Sequence, residues 1–280
     1  MTLLIPLVLF ATPPTDESKA APALSPPAVA KEVKAPEFKL SVVYTGADQG
    51  PVVSGELLFG RGLVYEIYEG SDEVAVIDRA RKILRLLDLK RQVQATLTFD
   101  DLERGIAKLR AESQATIAKG EKSAERADRI EAEIERDLLD PRFKATEAGD
   151  GRRVSLVNAS VKVEAAGVPE PDSDRRALVG EALIVGTKLR GVRDPETIPP
   201  FAQLDTLSAL VDVRKLRPAD LTFVFRLSGR PERYRWTYEI VPILTARERE
   251  ALARIDVLLS RAASYPLDRY ERMRPPRHRR

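Results

Sequence analysis

A chain of 280 residues, with 43% hydrophobic and 32% charged residues, is long and apolar enough to fold around one large core or two small ones. Its 46 basic and 43 acidic residues leave a formal charge of +3, a balance that requires no polyanionic partner. The sequence has no cysteine and a single histidine, His278, which excludes thiolate chemistry, His-based catalytic triads and metal sites built from several His or Cys ligands. We expect no catalytic residue and no cofactor; only oxygen-ligated calcium or magnesium stays open, and no EF-hand spacing occurs.

Residues 1–20 are typical of a signal peptide. The apolar run LLIPLVLFA at residues 3–11 is about 14 Å long as a helix, too short for a bilayer core of about 30 Å. Ser18 and Ala20 place small residues at the −3 and −1 positions of a cleavage site. No Lys or Arg precedes the run and Pro6 interrupts it, so a buried N-terminal strand is the alternative. We expect export, to the periplasm or to another part of the cell envelope.

The rest of the chain divides into a linker, one folded domain and a tail. Residues 21–37 alternate Pro, Ala and charged residues, which is typical of a semi-extended tether. Residues 38–268 carry the apolar patterns of a single α+β domain, in which a curved antiparallel sheet packs against a long helix and several C-terminal helices. Residues 269–280 are rich in Arg and are predicted to form a solvated basic tail, with contact to an anionic surface as the alternative.

The domain begins with a meander of short strands within residues 38–98. Runs of β-branched and aromatic residues, separated by turn residues, predict strands at residues 52–59, 63–69, 73–78, 83–89 and 91–98. Connections this short imply antiparallel neighbours, because parallel strands need longer crossovers.

Residues 98–140 are predicted to form one long helix. Thr98 can accept a hydrogen bond from the amide of Asp101, whose carboxylate can reach back, which makes a capping box. Apolar or small residues then recur three or four positions apart up to the Asp-Pro pair that ends the pattern. Gly105 and Gly120 are weak points in this helix.

Residues 150–268 are predicted to add further strands and helices. The patterns indicate a strand or pair of strands at 154–165, helices at 174–191 and 199–216, a hairpin of 221–227 with 234–240, and a last helix. That last helix begins with the capping box of Thr245 and Glu248. In the second hairpin strand, Tyr234, Trp236 and Tyr238 share one face, which we interpret as a core face below solvated arginines. Nucleic-acid stacking is the less favoured alternative.

Two further patterns resemble functional motifs. Gly180 and the run Gly186-Thr187-Lys188 look like a phosphate-binding loop, but the spacing has one residue too many and Lys and Thr are reversed. The segment also lies within a helical stripe, so we interpret it as helix packing. The adjacent acids Asp100 and Asp101 fall in the first turn of a predicted helix, where a structural capping role is favoured over acid–base catalysis.

The meander resembles the lipoprotein-carrier (LolA/LolB-like) fold. The stretches that carry the resemblance are GELLF at 55–59, LVYEI at 63–67, ILRLLD at 83–88 and QVQAT at 92–96. The resemblance implies a curved antiparallel sheet that wraps around helices and holds acyl chains in an apolar cavity. The chain as a whole also resembles exported proteins of high-GC bacteria, which implies a cell-envelope address.

Two functions follow as hypotheses. In the first, the protein binds an acyl chain or another apolar ligand between sheet and helices, in a cavity of several hundred Å³. In the second, it is a structural or interaction module that contacts a protein partner or a second copy through the helix at 98–140. An enzyme that uses only carboxylate, Tyr, Lys or Arg groups is a minor third alternative, because nothing in the sequence marks its site.

Overall fold

The computed structural model describes residues 36–46, 53–140, 144–148, 151–193, 200–225 and 231–273. The predicted signal peptide, nearly all of the linker and the end of the basic tail, including His278, lie outside these ranges. The described residues all fall in the unit Ala35–Arg280.

Strands within the described ranges join into one open sheet. They are β1 (Phe38–Thr45), β2 (Val53–Gly60), β3 (Leu63–Tyr68), β4 (Glu73–Asp78), β5 (Ile83–Asp88), β6 (Val93–Thr98), β7 (Lys144–Ala148), β8 (Arg153–Val157), β9 (Val161–Pro169), β10 (Leu216–Phe225), β11 (Glu232–Val241) and β12 (Ala263–Tyr265). Their order is β12-β6-β5-β4-β3-β2-β1-β11-β10-β9-β8-β7, and every pair is antiparallel except β12 with β6. The predicted α+β class with a curved antiparallel sheet is confirmed.

The meander forms because its turns suit tight hairpins. Between β2 and β3, Arg61 and Gly62 have φ values of 55° and 75°, as a two-residue type I′ turn requires. Similar short turns connect β3 to β6, so each strand pairs with the next. β1 then pairs with β2 on one side and with β11 on the other, which joins the N-terminal meander to the C-terminal hairpin.

Helices cover both faces of this sheet. They are α1 (Phe99–Gly120), α2 (Arg126–Leu139), α3 (Ser173–Arg193), α4 (Phe201–Ser208), α5 (Ala246–Arg261) and α6 (Leu267–Met273). A π-helical turn, Ala209–Val213, continues α4 within the predicted 199–216 segment. The capping boxes of α1 and α5 are both present, as predicted. α6 includes residues 269–273, the first five of the predicted basic tail, and Tyr270 within it is buried against the body of the protein.

Residues 98–140 fold back on themselves and do not continue as the single helix that their spacing predicts. α1 ends at Gly120, and α2 returns antiparallel to it, with Ser113 hydrogen-bonded to Glu135. A β-carbon at Gly120 would lie 2.6 Å from the Cβ of Ala132 and 2.6 Å from the backbone oxygen of Asp128. The glycine therefore permits the close approach at the turn, and folding back buries apolar residues of α2 that an extended helix would leave in water.

Two apolar cores lie on opposite faces of the sheet. The larger core packs the inward faces of β1–β6 and β8–β11 against α1–α4 and α6. The smaller core packs the other face of β2–β5 against α5, through Tyr65, Leu252 and Ile255 among others. This alternation explains why Leu63, Tyr65 and Ile67 share one face of β3, as their spacing predicts, while Val64 and Glu66 point to the larger core.

Candidate ligand cavity

A cavity of about 1010 Å³ lies between the larger-core face of the sheet and α3. Its walls come from β1–β5, β10 and β11 on the sheet side and from α3 and α4 on the helix side. The residues of α3 that face it include Ala182, Gly186 and Thr187, whose small side chains leave space that larger residues would fill. The sequence places α3 here because its apolar stripe, predicted at 174–191, packs into the larger core.

One wall of the cavity is aromatic. Tyr44 of β1 lies beside Trp236 of β11, with ring centroids 4.9 Å apart, and the Trp236 ring meets Phe223 of β10 edge-on at 5.6 Å. Tyr234 stacks with Tyr44 at 6.5 Å. The face of β11 that we interpret as a core face does pack on the larger core, and Arg233 and Arg235 on its back are exposed. The same face also lines the cavity, so its aromatic rings are available to a ligand.

β3 and α3 contribute a polar group to the lining that we call the Arg190 cluster, made of Glu66, Tyr68, Thr187 and Arg190. Nη1 of Arg190 donates to Oε1 of Glu66 at 2.8 Å and to the hydroxyl of Tyr68 at 2.8 Å. The Tyr68 hydroxyl in turn donates to Oε1 of Glu66 at 2.5 Å, and Nη2 of Arg190 donates to Oγ1 of Thr187 at 3.2 Å. Each member thus orients another, and the guanidinium is fixed at the cavity surface.

The two charges of the cluster differ in their exposure. The Glu66 side chain is only 5% exposed, whereas that of Arg190 is 37% exposed. Arg190 lines the cavity, so its exposed part faces that space. Burial lowers the pKa of Arg190, but Tyr68, Glu66 and Tyr238 outweigh it and the pKa stays above its ordinary value, so this group remains a cation.

Buried tyrosines flank this cation. Burial raises the pKa of Tyr68 well above its ordinary value, and the nearby Glu66 adds to the rise while Arg190 opposes it. Burial likewise raises the pKa of Tyr238, again against Arg190. Both side chains therefore stay protonated and can act as neutral hydrogen-bonding groups in the wall.

Two glycines make room for the Arg190 cluster. The ring of Tyr68 lies over Gly55 of β2, where a β-carbon would come within 2.7 Å of it. On α3, a β-carbon at Gly186 would lie 3.3 Å from both carboxylate oxygens of Glu66. Glycine at these two positions lets the ring lie against the sheet and lets the helix approach the buried carboxylate.

A second charged group closes one end of the cavity. The guanidinium of Arg193 binds Glu73 through two hydrogen bonds of 2.7 and 2.9 Å, and its Nε donates to Glu271 at 2.6 Å. Tyr270 donates to Glu73 at 2.8 Å. The Arg193 side chain is 6% exposed, so this network clamps α3, β4 and α6 together.

The cavity wall includes a buried amide donor. Nε2 of Gln203, on α4, is buried and has no hydrogen-bond partner among the residues that the structure describes. Burial raises the pKa of the nearby Tyr238, and Gln203 lies close enough to lower it in part. A ligand acceptor at this point would satisfy a donor that the protein leaves unpaired.

The acidic residue and the glycine-containing run that the sequence singles out have structural roles. No group of three or more His, Asp or Glu side chains within the described ranges is arranged to hold a metal ion. Asp101 caps α1, as predicted, and receives the backbone hydrogen bond of Thr98 at 2.7 Å. Gly180 lies within α3 and packs against Val211 of the π-helical turn, so the segment that looks like a phosphate-binding loop is part of a packed helix. Its Thr187 also belongs to the Arg190 cluster.

Sequence reasoning expected an apolar cavity between sheet and helices but did not identify the Arg190 cluster in its wall. A signal was present: Glu66 is a carboxylate on the inward face of a strand that is otherwise apolar or aromatic. Such a residue is rarely buried without a partner, and the partner here comes from a helix 124 positions along the chain.

The comparisons with known proteins leave the structure as the main guide to function. No family model matches the chain, and no curated protein matches its sequence significantly. None of the described helices is both long and apolar enough to span a membrane.

Proposed function

We propose that this is an exported protein of the cell envelope that holds an acyl chain, or a similar apolar ligand, between its sheet and its helices. The single observation that carries the proposal is the cavity of about 1010 Å³ between the sheet and α3. Ligand sites of proteins are clefts or cavities that typically measure about 300–1,000 Å³. A space of this size is therefore better explained by an occupant than by imperfect packing.

The composition of the walls agrees with an acyl ligand. The aromatic rings of Tyr44, Phe223 and Trp236, together with aliphatic residues such as Val42 and Leu57, offer an apolar surface. Burial of a methylene group against such a surface contributes about 0.8 kcal/mol. The resemblance of the meander to the lipoprotein-carrier fold points to the same class of ligand, and the predicted signal peptide to the same compartment.

Native mass spectrometry of the protein purified from the envelope fraction of its own cells tests this proposal. We expect a reproducible added mass that matches a lipid or another acyl compound and that is lost on extraction with organic solvent. A bare monomer mass in repeated preparations would contradict the proposal.

Two neighbouring valines of β1 provide a matched pair of variants. Val42 is buried and lines the cavity, while Val43 points to the other face of the sheet. Val42→Trp should weaken the binding of an acyl probe by about tenfold or more, because the indole occupies part of the site. Val43→Trp should leave that affinity unchanged. Equal affinities in the two variants, with both folded by circular dichroism, would argue against binding in this cavity.

The second hypothesis, an interaction module at 98–140, has less support. The α1–α2 hairpin exposes mainly charged side chains, and the exposed large apolar residues of the described chain (Val53, Val213, Ile243 and Val257) lie outside it. A stable protein interface usually contains an apolar centre. A dimer or a co-purified protein in the mass spectrum would favour this alternative over ligand binding.

A further inference from the structure

We propose that the polar group of the ligand is uncharged, as in an acyl ester, an acyl amide or a long-chain alcohol. This inference rests on the proposed function, since it specifies the chemistry of the ligand that the cavity would hold. The observations that carry it are the pairing, the exposure and the remaining donors of the Arg190 cluster.

The cluster has no net charge to offer a ligand. Arg190 and Glu66 neutralise each other across a contact of 2.8 Å, and Arg193 is likewise neutralised by Glu73 and Glu271. Five acidic and four basic side chains occur among the described residues that line the cavity, so the lining carries no surplus of positive charge. A site built for a carboxylate or a phosphate would present an unpaired cation inside the cavity, whereas Lys90, the lining cation for which no acidic partner is described, is an exposed side chain.

Arg190 nevertheless keeps hydrogen-bond donors for a ligand. A guanidinium has five N–H groups. In Arg190, both N–H groups of Nη1 and one of Nη2 donate to Glu66, Tyr68 and Thr187. The Nε–H and the second N–H of Nη2 have no protein acceptor in the described part of the chain. The side chain is 37% exposed, and that exposed part faces the cavity. A carbonyl or hydroxyl oxygen can accept from these donors, and Nε2 of Gln203 offers another donor in the same cavity.

A ligand with a charged polar group would bind less favourably at the Arg190 cluster. An anionic group would bring a second negative charge next to the Glu66 carboxylate, which is 5% exposed and therefore poorly screened by water. An ammonium group would face the guanidinium of Arg190. A neutral acceptor satisfies the donors without either repulsion, so the ester or amide of an acyl compound fits the cluster best.

Two probes with the same acyl chain test this inference, namely 1-monolauroylglycerol and laurate. Binding is measured by isothermal titration calorimetry on the full chain, below the micelle concentration and at about pH 8, where the laurate carboxyl is ionised. We expect the glycerol ester to bind at least about tenfold more tightly than laurate. Equal affinities, or tighter binding of laurate, would overturn the inference while leaving the proposed function intact. If neither probe bound, the proposed function itself would fail.

The Glu66→Gln variant adds a change of specificity as a second test. Gln keeps the size and an acceptor oxygen of Glu66 but leaves the positive charge of Arg190 unpaired. The ratio of the laurate affinity to the glycerol-ester affinity should then rise by about fivefold or more. An unchanged ratio of the two affinities in the folded variant would contradict the role of charge balance. The comparison of probes on the unaltered protein decides the matter if this variant does not fold.

Discussion

Removing one or both charges of the Arg190–Glu66 pair should have unequal effects on the free energy of unfolding. Arg190→Gln leaves the Glu66 carboxylate, which is 5% exposed, without its cation, and an unpaired buried charge costs about 3 kcal/mol. Glu66→Gln leaves Arg190, which is 37% exposed to the cavity, so water can solvate the guanidinium and the expected cost is about 1 kcal/mol. The double variant removes both charges and should lie within about 1 kcal/mol of the unaltered protein.

Equilibrium unfolding in urea measures these differences, because urea does not screen charges as guanidinium chloride does. The double-mutant cycle should therefore give a coupling energy of about 3–5 kcal/mol. Arg79 and Glu181 supply a control pair, since each side chain is 36% exposed and we expect their coupling to be below about 1 kcal/mol. Equal costs for the two single variants of the Arg190 pair, or an additive double variant, would refute the asymmetry that we derive from burial.

Three other predictions concern the helical hairpin, a helix cap and the tyrosines. Gly120→Ala should lower the free energy of unfolding by about 1–3 kcal/mol, because the new β-carbon would lie 2.6 Å from a backbone oxygen. The control variant Lys122→Ala, at an exposed site, should change the free energy of unfolding by less than about 0.5 kcal/mol. The backbone hydrogen bond of Thr98 lowers the pKa of Asp101 from 3.8. Asp101→Asn should therefore lower the free energy of unfolding in urea by about 0.5 kcal/mol at neutral pH, and should not change it once the pH falls well below 3.8. A cost that persists in acid would contradict this prediction. Burial raises the pKa of five tyrosines above 10, so their protonated forms contribute stability that is complete below pH 10 and is lost as the pH rises toward the folded-state pKa values. An absorbance titration at alkaline pH should therefore show that these five tyrosines ionise as the fold is lost, and not before. They are Tyr44, Tyr65, Tyr68, Tyr238 and Tyr270.

The sequence predicts those parts of the fold that local patterns control. Period-two alternation and short turns locate β2–β6 and the β10–β11 hairpin, and hydroxyl–carboxylate spacing locates the caps at Thr98 and Thr245. The pairing of β1 with β11 leaves no local signal, because the two strands are far apart in the chain. The break after Gly120 is marked only as a weak point, since the decision between one helix and two depends on what α2 can pack against.

The candidate site is less accessible to sequence reasoning for a related reason. Alternation shows that Tyr234, Trp236 and Tyr238 share a face, but it does not show whether a side chain or an empty space lies opposite them. The small residues of α3 that leave this space, such as Ala182 and Gly186, are equally typical of close helix packing. The sequence does show that Glu66 is an acid on the inward face of a strand. Its partner Arg190 becomes evident only in three dimensions.

The position of β1 has a consequence for how the chain assembles during synthesis. Lys39 pairs with Leu58 in β2 and with Val241 in β11, so one side of this strand is satisfied early and the other only when almost the whole chain has been made. Joining Lys39 to Val241 closes a loop of about 200 residues, which costs more conformational entropy than any hairpin of the meander. Until then β1 carries a row of unpaired backbone groups, the kind of edge at which strands of different molecules pair. A product truncated before β11 would retain that edge permanently, and we expect it to aggregate where the complete chain does not.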